Sequence, residues 1–160
     1  QTESNVKTAT TQQQLNMVDQ TNPYGTQKYT QTGTWADGTP KFSVVPIATA
    51  NTARDGTGTL VSTLTGAPNG TKLERVRIQA TGTVTAGMVR LFVKKAGSVA
   101  RLWKEVPVQA VTPSTLIPAF EAEVDFSTVQ NILVLQNGDE LLAAPHNAEG
   151  FNVHVVYGDF

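Results

Sequence analysis

The sequence predicts an all-β protein: an antiparallel β-sandwich of jelly-roll or immunoglobulin-like type, with an extended N-terminal arm that contains a hairpin. Three observations carry this. Thr occurs 23 times beside 13 Gly and 8 Pro, a composition of strands and turns rather than helices. From residue 59 onward, apolar and polar residues alternate with period 2, and no segment keeps a helical apolar stripe. Asn-Gly and Asp-Gly dipeptides punctuate the alternation where hairpin turns would fall.

Residues 1–46 read as the arm. They hold ten Thr and seven Gln but only seven aliphatic or Phe residues: Val6, Leu15, Met17, Val18, Phe42, Val44 and Val45. Asn22-Pro23-Tyr24-Gly25 is a turn by its Pro and Gly placement. Gln27–Trp35 and Pro40–Val45 are expected as two strands joined through Ala36-Asp37-Gly38. Ordering backbone costs about 1–2 kcal/mol per residue. So few apolar side chains cannot offset that within the arm: either the arm stays disordered, or it orders along a surface outside its own domain. Tyr24, Tyr29, Trp35 and Phe42 are its candidate anchors for a partner.

Residues 47–160 read as the sandwich domain. Ala50–Gly58 is a loop, and Thr59–Thr65 a first strand ahead of the Asn69-Gly70 turn. In Leu73–Ala80, Val76, Ile78 and Ala80 face one way, and Arg75, Arg77 and Gln79 the other. Met88–Lys95 sets Val89, Leu91 and Val93 against Met88, Arg90, Phe92 and Lys94. Val99–Val108 follows, with Pro107 suggesting an edge or strand end. In Ala119–Phe126, Phe120, Ala122, Val124 and Phe126 point in, while Glu121, Glu123 and Asp125 point out. Ile132–Leu135, Glu140–Ala144 and Phe151–Tyr157 complete the series. Two packed antiparallel sheets bury such strands.

Charge is segregated along this domain. Eight basic residues lie within 72–105, whereas 119–160 holds seven acids and no Lys or Arg. Cross-strand pairing within one sheet would explain this, with Arg75 and Arg77 facing Glu121 and Glu123. The alternative makes Arg75, Arg77, Glu121, Glu123 and Asp125 subunit-interface charges, a basic face meeting an acidic face on the next copy of a homo-oligomer.

Catalytic chemistry finds little support. Glu121, Glu123 and Asp125 sit roughly 6.5–7 Å apart along a strand, but acids in a row on an outward face stay solvated and ionised, with no cleft between them. His146 and His154 are the only imidazoles, and there is no Cys. Zinc needs three or four ligands. Ser98 lacks a nucleophile elbow, and no phosphate-binding glycine loop occurs. No enzyme activity, cofactor or metal is expected. The net charge of −1 and an acidic C-terminal third argue against nucleic acid or an anionic membrane surface as partner. Trp35, Tyr24, Tyr29 and Trp103 could serve as platforms for a glycan, or as anchors buried when the arm docks.

One resemblance adds to this reading. The segments "TANTARDGTGTLVSTLTGAPNGTKLERVRIQATGTVTAGMVRLFV" (49–93), "KEVPVQAVTPSTLIPAFEAEV" (104–124) and "FNVHVVYGDF" (151–160) resemble a recurrent β-domain of tailed-bacteriophage virion proteins. "NPYGTQKYTQTGTWADGTPKF" (22–42) is similar to short segments of other phage structural proteins. The resemblance implies a non-enzymatic virion component, assembled in the host cytoplasm. Its size, β-body and arm suggest a capsid decoration or cement protein, whose partners would be a major capsid protein and further copies of itself. The alternative is a tail, neck or fibre-base protein contributing to assembly or host-surface glycan adhesion.

Overall fold

Among the described residues, the alternation of apolar and polar residues resolves into nine strands. The structure, a computed structural model, describes residues 40–128 and 132–160. In chain order the strands are β1 (Lys41–Ile47), β2 (Val61–Thr65), β3 (Thr71–Ala80), β4 (Gly87–Lys94), β5 (Ala100–Val108), β6 (Glu121–Asp125), β7 (Val134–Leu135), β8 (Glu140–Pro145) and β9 (Phe151–Asp159). The eight strands expected from residue 59 onward are all present, and no end moves by more than two residues.

The strands form two antiparallel sheets. One runs β1-β9-β3-β6, with the short β7 also paired to β3; the other runs β2-β8-β4-β5. Their inner faces meet in a single apolar core. Leu73, Val76, Ile78, Val153 and Val155 come from the first sheet, and Val89, Leu91, Leu141 and Ala143 from the second, all fully buried. The alternation of β3 breaks once, and the break is structural. A bulge between Leu73 and Arg75 lets Leu73 and Val76, three positions apart, both point inward.

The sandwich is closed differently at its two sides. Where β1 and β2 lie next to each other, the Ser43 hydroxyl donates to the Thr63 carbonyl at 3.0 Å. On the opposite side, Trp103 from the β5 bulge stacks on Phe126 with ring centroids 6.2 Å apart. Trp103 is thus an anchor between the sheets, although 42% of it stays exposed.

Two features depart from the sequence reading. First, β1 crosses the boundary expected after residue 46. Pro40–Val45 is read from sequence as half of a hairpin within the arm, but β1 pairs along its whole length with β9, from Lys41↔Tyr157 to Ile47↔Phe151. A strand flanked by Thr-rich sequence gives no local sign that its partner lies more than a hundred residues away. The expected Gln27–Trp35 half of that hairpin lies outside the described residues.

Second, β4 is buried on both faces. Arg90 and Phe92, expected on the face opposite Val89, Leu91 and Val93, are 1% and 0% exposed. The Ala50–Leu60 segment covers them. Its knot is Asn51, whose amide donates to the carbonyls of Thr57 and Thr59 and accepts from the Ala53 N–H. Gly56 allows the segment to lie this close: with φ +88°, it approaches β5 so tightly that a Cβ there would stand 2.2 Å from the Ala100 carbonyl oxygen. Phe92, Ala100 and Leu142 form a second small apolar cluster beneath it, joined by Leu60 and Leu102.

The buried Arg90 guanidinium holds this cover in place. It donates to Glu105 at 2.9 Å, to the Asn51 carbonyl at 3.3 Å, and lies 3.2 Å from Nδ1 of His146. Arg54, from the covering segment, donates to the same Glu105 oxygen. Burial pushes the Glu105 carboxyl up, but the two arginines outweigh it and hold the group below the usual carboxylate value. His146, a possible metal ligand by sequence, is instead engaged at this buried cation. Among the described residues no group of His, Asp and Glu could hold a metal ion.

Candidate docking face

The outer face of the first sheet is a graded surface. Strand register sets its side chains in three rows across the sheet. One row reads Phe42, Val156, Arg75, Asp125; the next Val44, His154, Arg77, Glu123; the third Pro46, Asn152, Gln79, Glu121. From the β1 edge to the β6 edge the surface therefore passes from apolar, through mixed, to basic and then acidic.

The β1 edge is the unusual part. Phe42 is 70% and Val44 45% exposed, and both stand next to Pro46 on the same outward stripe. Exposed apolar residues are ordinary singly; a stripe of them on an edge strand marks a contact surface. Among the described residues no strand pairs with the outer edge of β1. That edge can accept an added strand, with main-chain hydrogen bonds for affinity and Phe42 and Val44 for selection.

Toward the middle of the sheet, Phe42, Arg75, Arg77, Glu123, His154 and Val156 line a shallow pocket of about 320 Å³. Its charges are unequally engaged. Arg77 donates to Glu121 at 2.9 Å and to the Gln79 side chain at 3.2 Å. The Asp125 carboxyl is held below its ordinary value by the hydroxyl and N–H of Ser127, with the nearby Arg75 charge adding to the effect. That arrangement leaves Arg75 and Glu123 without an ion pair or side-chain hydrogen bond among the described residues. The pocket thus offers one available cation, one available anion and an aromatic flank, which suits an extended polypeptide with alternating side chains.

The structure brings together residues that the sequence named for two separate reasons. Phe42, a candidate arm anchor, sits beside Arg75, Arg77 and Glu123, candidate interface charges. Glu121 and Asp125 lie at the far margin of the same face. Arg75, Arg77, Glu121, Glu123 and Asp125 are cross-strand neighbours on β3 and β6, the arrangement of pairing within one sheet. Tyr24, Tyr29 and Trp35 lie outside the described residues. Val44, Pro46, His154 and Val156 were not singled out as site residues, because the pairing of β1 with β9 that assembles them is invisible locally. The outward alternation of Phe42, Val44 and Pro46 was the available signal.

No helix among the described residues is long and apolar enough to cross a membrane. No protein-family model matches the chain, and no curated protein matches it. Among solved structures it is similar to the nucleoplasmin-like N-terminal domain of Drosophila FKBP39, at 12% identity over 76% of this chain and 90% of that one, with a TM-score of 0.32.

Proposed function

We propose that this protein is a non-enzymatic structural component of a bacteriophage virion, a capsid decoration or cement protein. It docks through the segment that precedes β1 and through the Phe42 face that this segment leads into. Its partners in this reading are a major capsid protein and further copies of itself. The observation that carries the docking role is the edge strand: the Thr- and Gln-rich N-terminal segment runs directly into β1, whose outward stripe exposes Phe42 and Val44 beside an available Arg75 and Glu123. The virion class is supported by the resemblance of residues 49–93, 104–124 and 151–160 to the phage β-domain. A segment that binds at several points, linked to a compact body, gains affinity without a large globular interface.

The test is reconstitution on particles lacking the protein. Adding the full chain should raise the temperature at which those particles release their DNA, and Phe42→Ala should reduce that effect. Particles that are equally stable without the protein but fail to adsorb to cells would instead support the tail or fibre-base alternative.

A further inference from the structure

At the end of the sandwich where the chain enters β1, two Asn-Gly turns lie side by side. One, Asn69-Gly70, joins β2 to β3; the other, Asn137-Gly138, joins β7 to β8. They are tied together through the backbone, Gly138 N–H to the Gly66 carbonyl at 3.2 Å and Gly66 N–H to the Asp139 carbonyl at 2.7 Å. Asp139 is almost fully buried and locks the second turn, accepting from the N–H groups of Gln136 and Ala96 and from Lys95. Phe160 closes the group. Its N–H donates to the Gly70 carbonyl at 3.0 Å, and its ring lies over Gly70, 3.3 Å from where a Cβ would stand.

Between them is a pocket of about 250 Å³, lined by Pro68, Asn69, Gly70, Val134, Gln136, Asn137 and Phe160. Three of these seven carry primary amides, three carry apolar side chains, and Gly70 presents backbone alone. The Asn69 and Asn137 side chains make no hydrogen bond among the described residues. The Gln136 oxygen accepts from Lys95 at 3.0 Å, which leaves its NH₂ group able to donate. No charged side chain lines the space.

This inventory selects a ligand class. A carboxylate or phosphate would lose hydration, and the Lys95 ammonium beside Gln136 is already neutralised by Asp139 at 2.7 Å. A purely apolar ligand would strip water from three amides and leave them unpaired. A pyranose ring satisfies both halves. Its neighbouring hydroxyls both donate and accept, as amides do, and its C–H face matches Phe160, Val134 and Pro68. The turns that carry the amides are already cross-linked, so little ordering is required on binding.

We propose that this pocket binds a neutral hexose of a glycan. The proposal is independent of the virion reading and stands or falls without it. The pocket also differs from the aromatic platforms considered from sequence, since none of Tyr24, Tyr29, Trp35 or Trp103 lines it.

The experiment is an amide-resolved NMR titration of the full chain with methyl α-glucopyranoside, methyl α-mannopyranoside and methyl β-galactopyranoside, with N-acetylneuraminic acid as the anionic control. At least one neutral glycoside should give saturable shifts at the side-chain amides of Asn69 and Asn137 and at the Phe160 N–H. The expected dissociation constant is about 1–10 mM, the range for one ring in a small polar site. Asn137→Ala and Asn69→Ala, made separately, should each weaken binding about tenfold or more while the rest of the spectrum stays in place. Two separate variants keep the test intact if one of them disturbs its turn. Absence of saturable shifts with all three glycosides, tighter binding of the acidic sugar, or undiminished binding in both variants would overturn the assignment.

Discussion

Asp139 shows how much one side chain can decide in a sandwich made of short strands. Burial pushes its carboxyl up, but Lys95 Nζ at 2.7 Å and the N–H groups of Ala96 and Gln136 outweigh that and hold it below the ordinary carboxylate value. A carboxyl depressed in the folded state contributes stability that is complete above its unfolded value of about 3.9, and that contribution is lost as pH falls through the lower folded value. Asp139→Asn keeps the shape but loses the charge and one acceptor oxygen. It should lower stability at neutral pH by about 1.5–3 kcal/mol, the range for hydrogen bonds to a charged group. It should also flatten the decline below pH 4, and thermal unfolding from pH 7 to pH 2 reads both. Phe42 acts at the same scale on binding rather than on folding. It is 70% exposed and makes no part of the core, so Phe42→Ala should leave the melting profile unchanged. As a buried anchor in the complex, it should weaken attachment by about 1–3 kcal/mol, measurable by titration on particles.

Single strands divide into those that announce themselves and those that do not. β6, β9 and the Val76–Ala80 half of β3 alternate so regularly that their inward residues are readable from sequence alone, and Val76, Ile78, Val124, Val153 and Val155 are all buried. The bulge that turns Leu73 inward left no such sign. That Arg75 and Arg77 stand across from acids on β6 was readable from the outward charges, but the register was not. Arg75 lies opposite Asp125 and Arg77 opposite Glu123, and of the two arginines Arg77 alone makes an ion pair among the described residues, to Glu121. β1 and the Ala50–Leu60 cover were not readable, for a common reason. Each gains its stability from residues distant in sequence: β1 from β9, and the cover from Arg90, Glu105 and Ala100. Local pattern carries no record of such contacts, so Phe42 was assigned to an arm and nothing marked the face of Arg90 and Phe92 as covered. Truncation tests the corrected boundary. A chain beginning at residue 40 should keep the cooperative unfolding of the full protein. One beginning at residue 48 should melt well below it, because it strips β9 of its pairing along one edge, removes the buried Ile47 and deletes the Ser43–Thr63 bond between the sheets. Equal melting of the two truncations would mean that β1 is not part of the folded body.

At the scale of the whole molecule, the two ends of the sandwich have different characters. The N-terminal segment enters where β1 begins, beside the end of β9 and the two Asn-Gly turns, and Lys41 is fixed to Asp159 there at 3.0 Å. The β5–β6 loop belongs to the opposite end and exposes Leu116 and Ile117 at 91% and 52%. A body with polarity of this kind is suited to attachment from one end, and the surface proposed for it is a virion. Quantitative mass spectrometry of purified particles tests this most directly, comparing particles assembled with the full chain and with a chain beginning at residue 40. The account predicts the full chain at a fixed ratio to the major capsid protein and the truncated chain lost on purification. Absence of the full chain from purified particles, or retention of both chains at the same ratio, would contradict it.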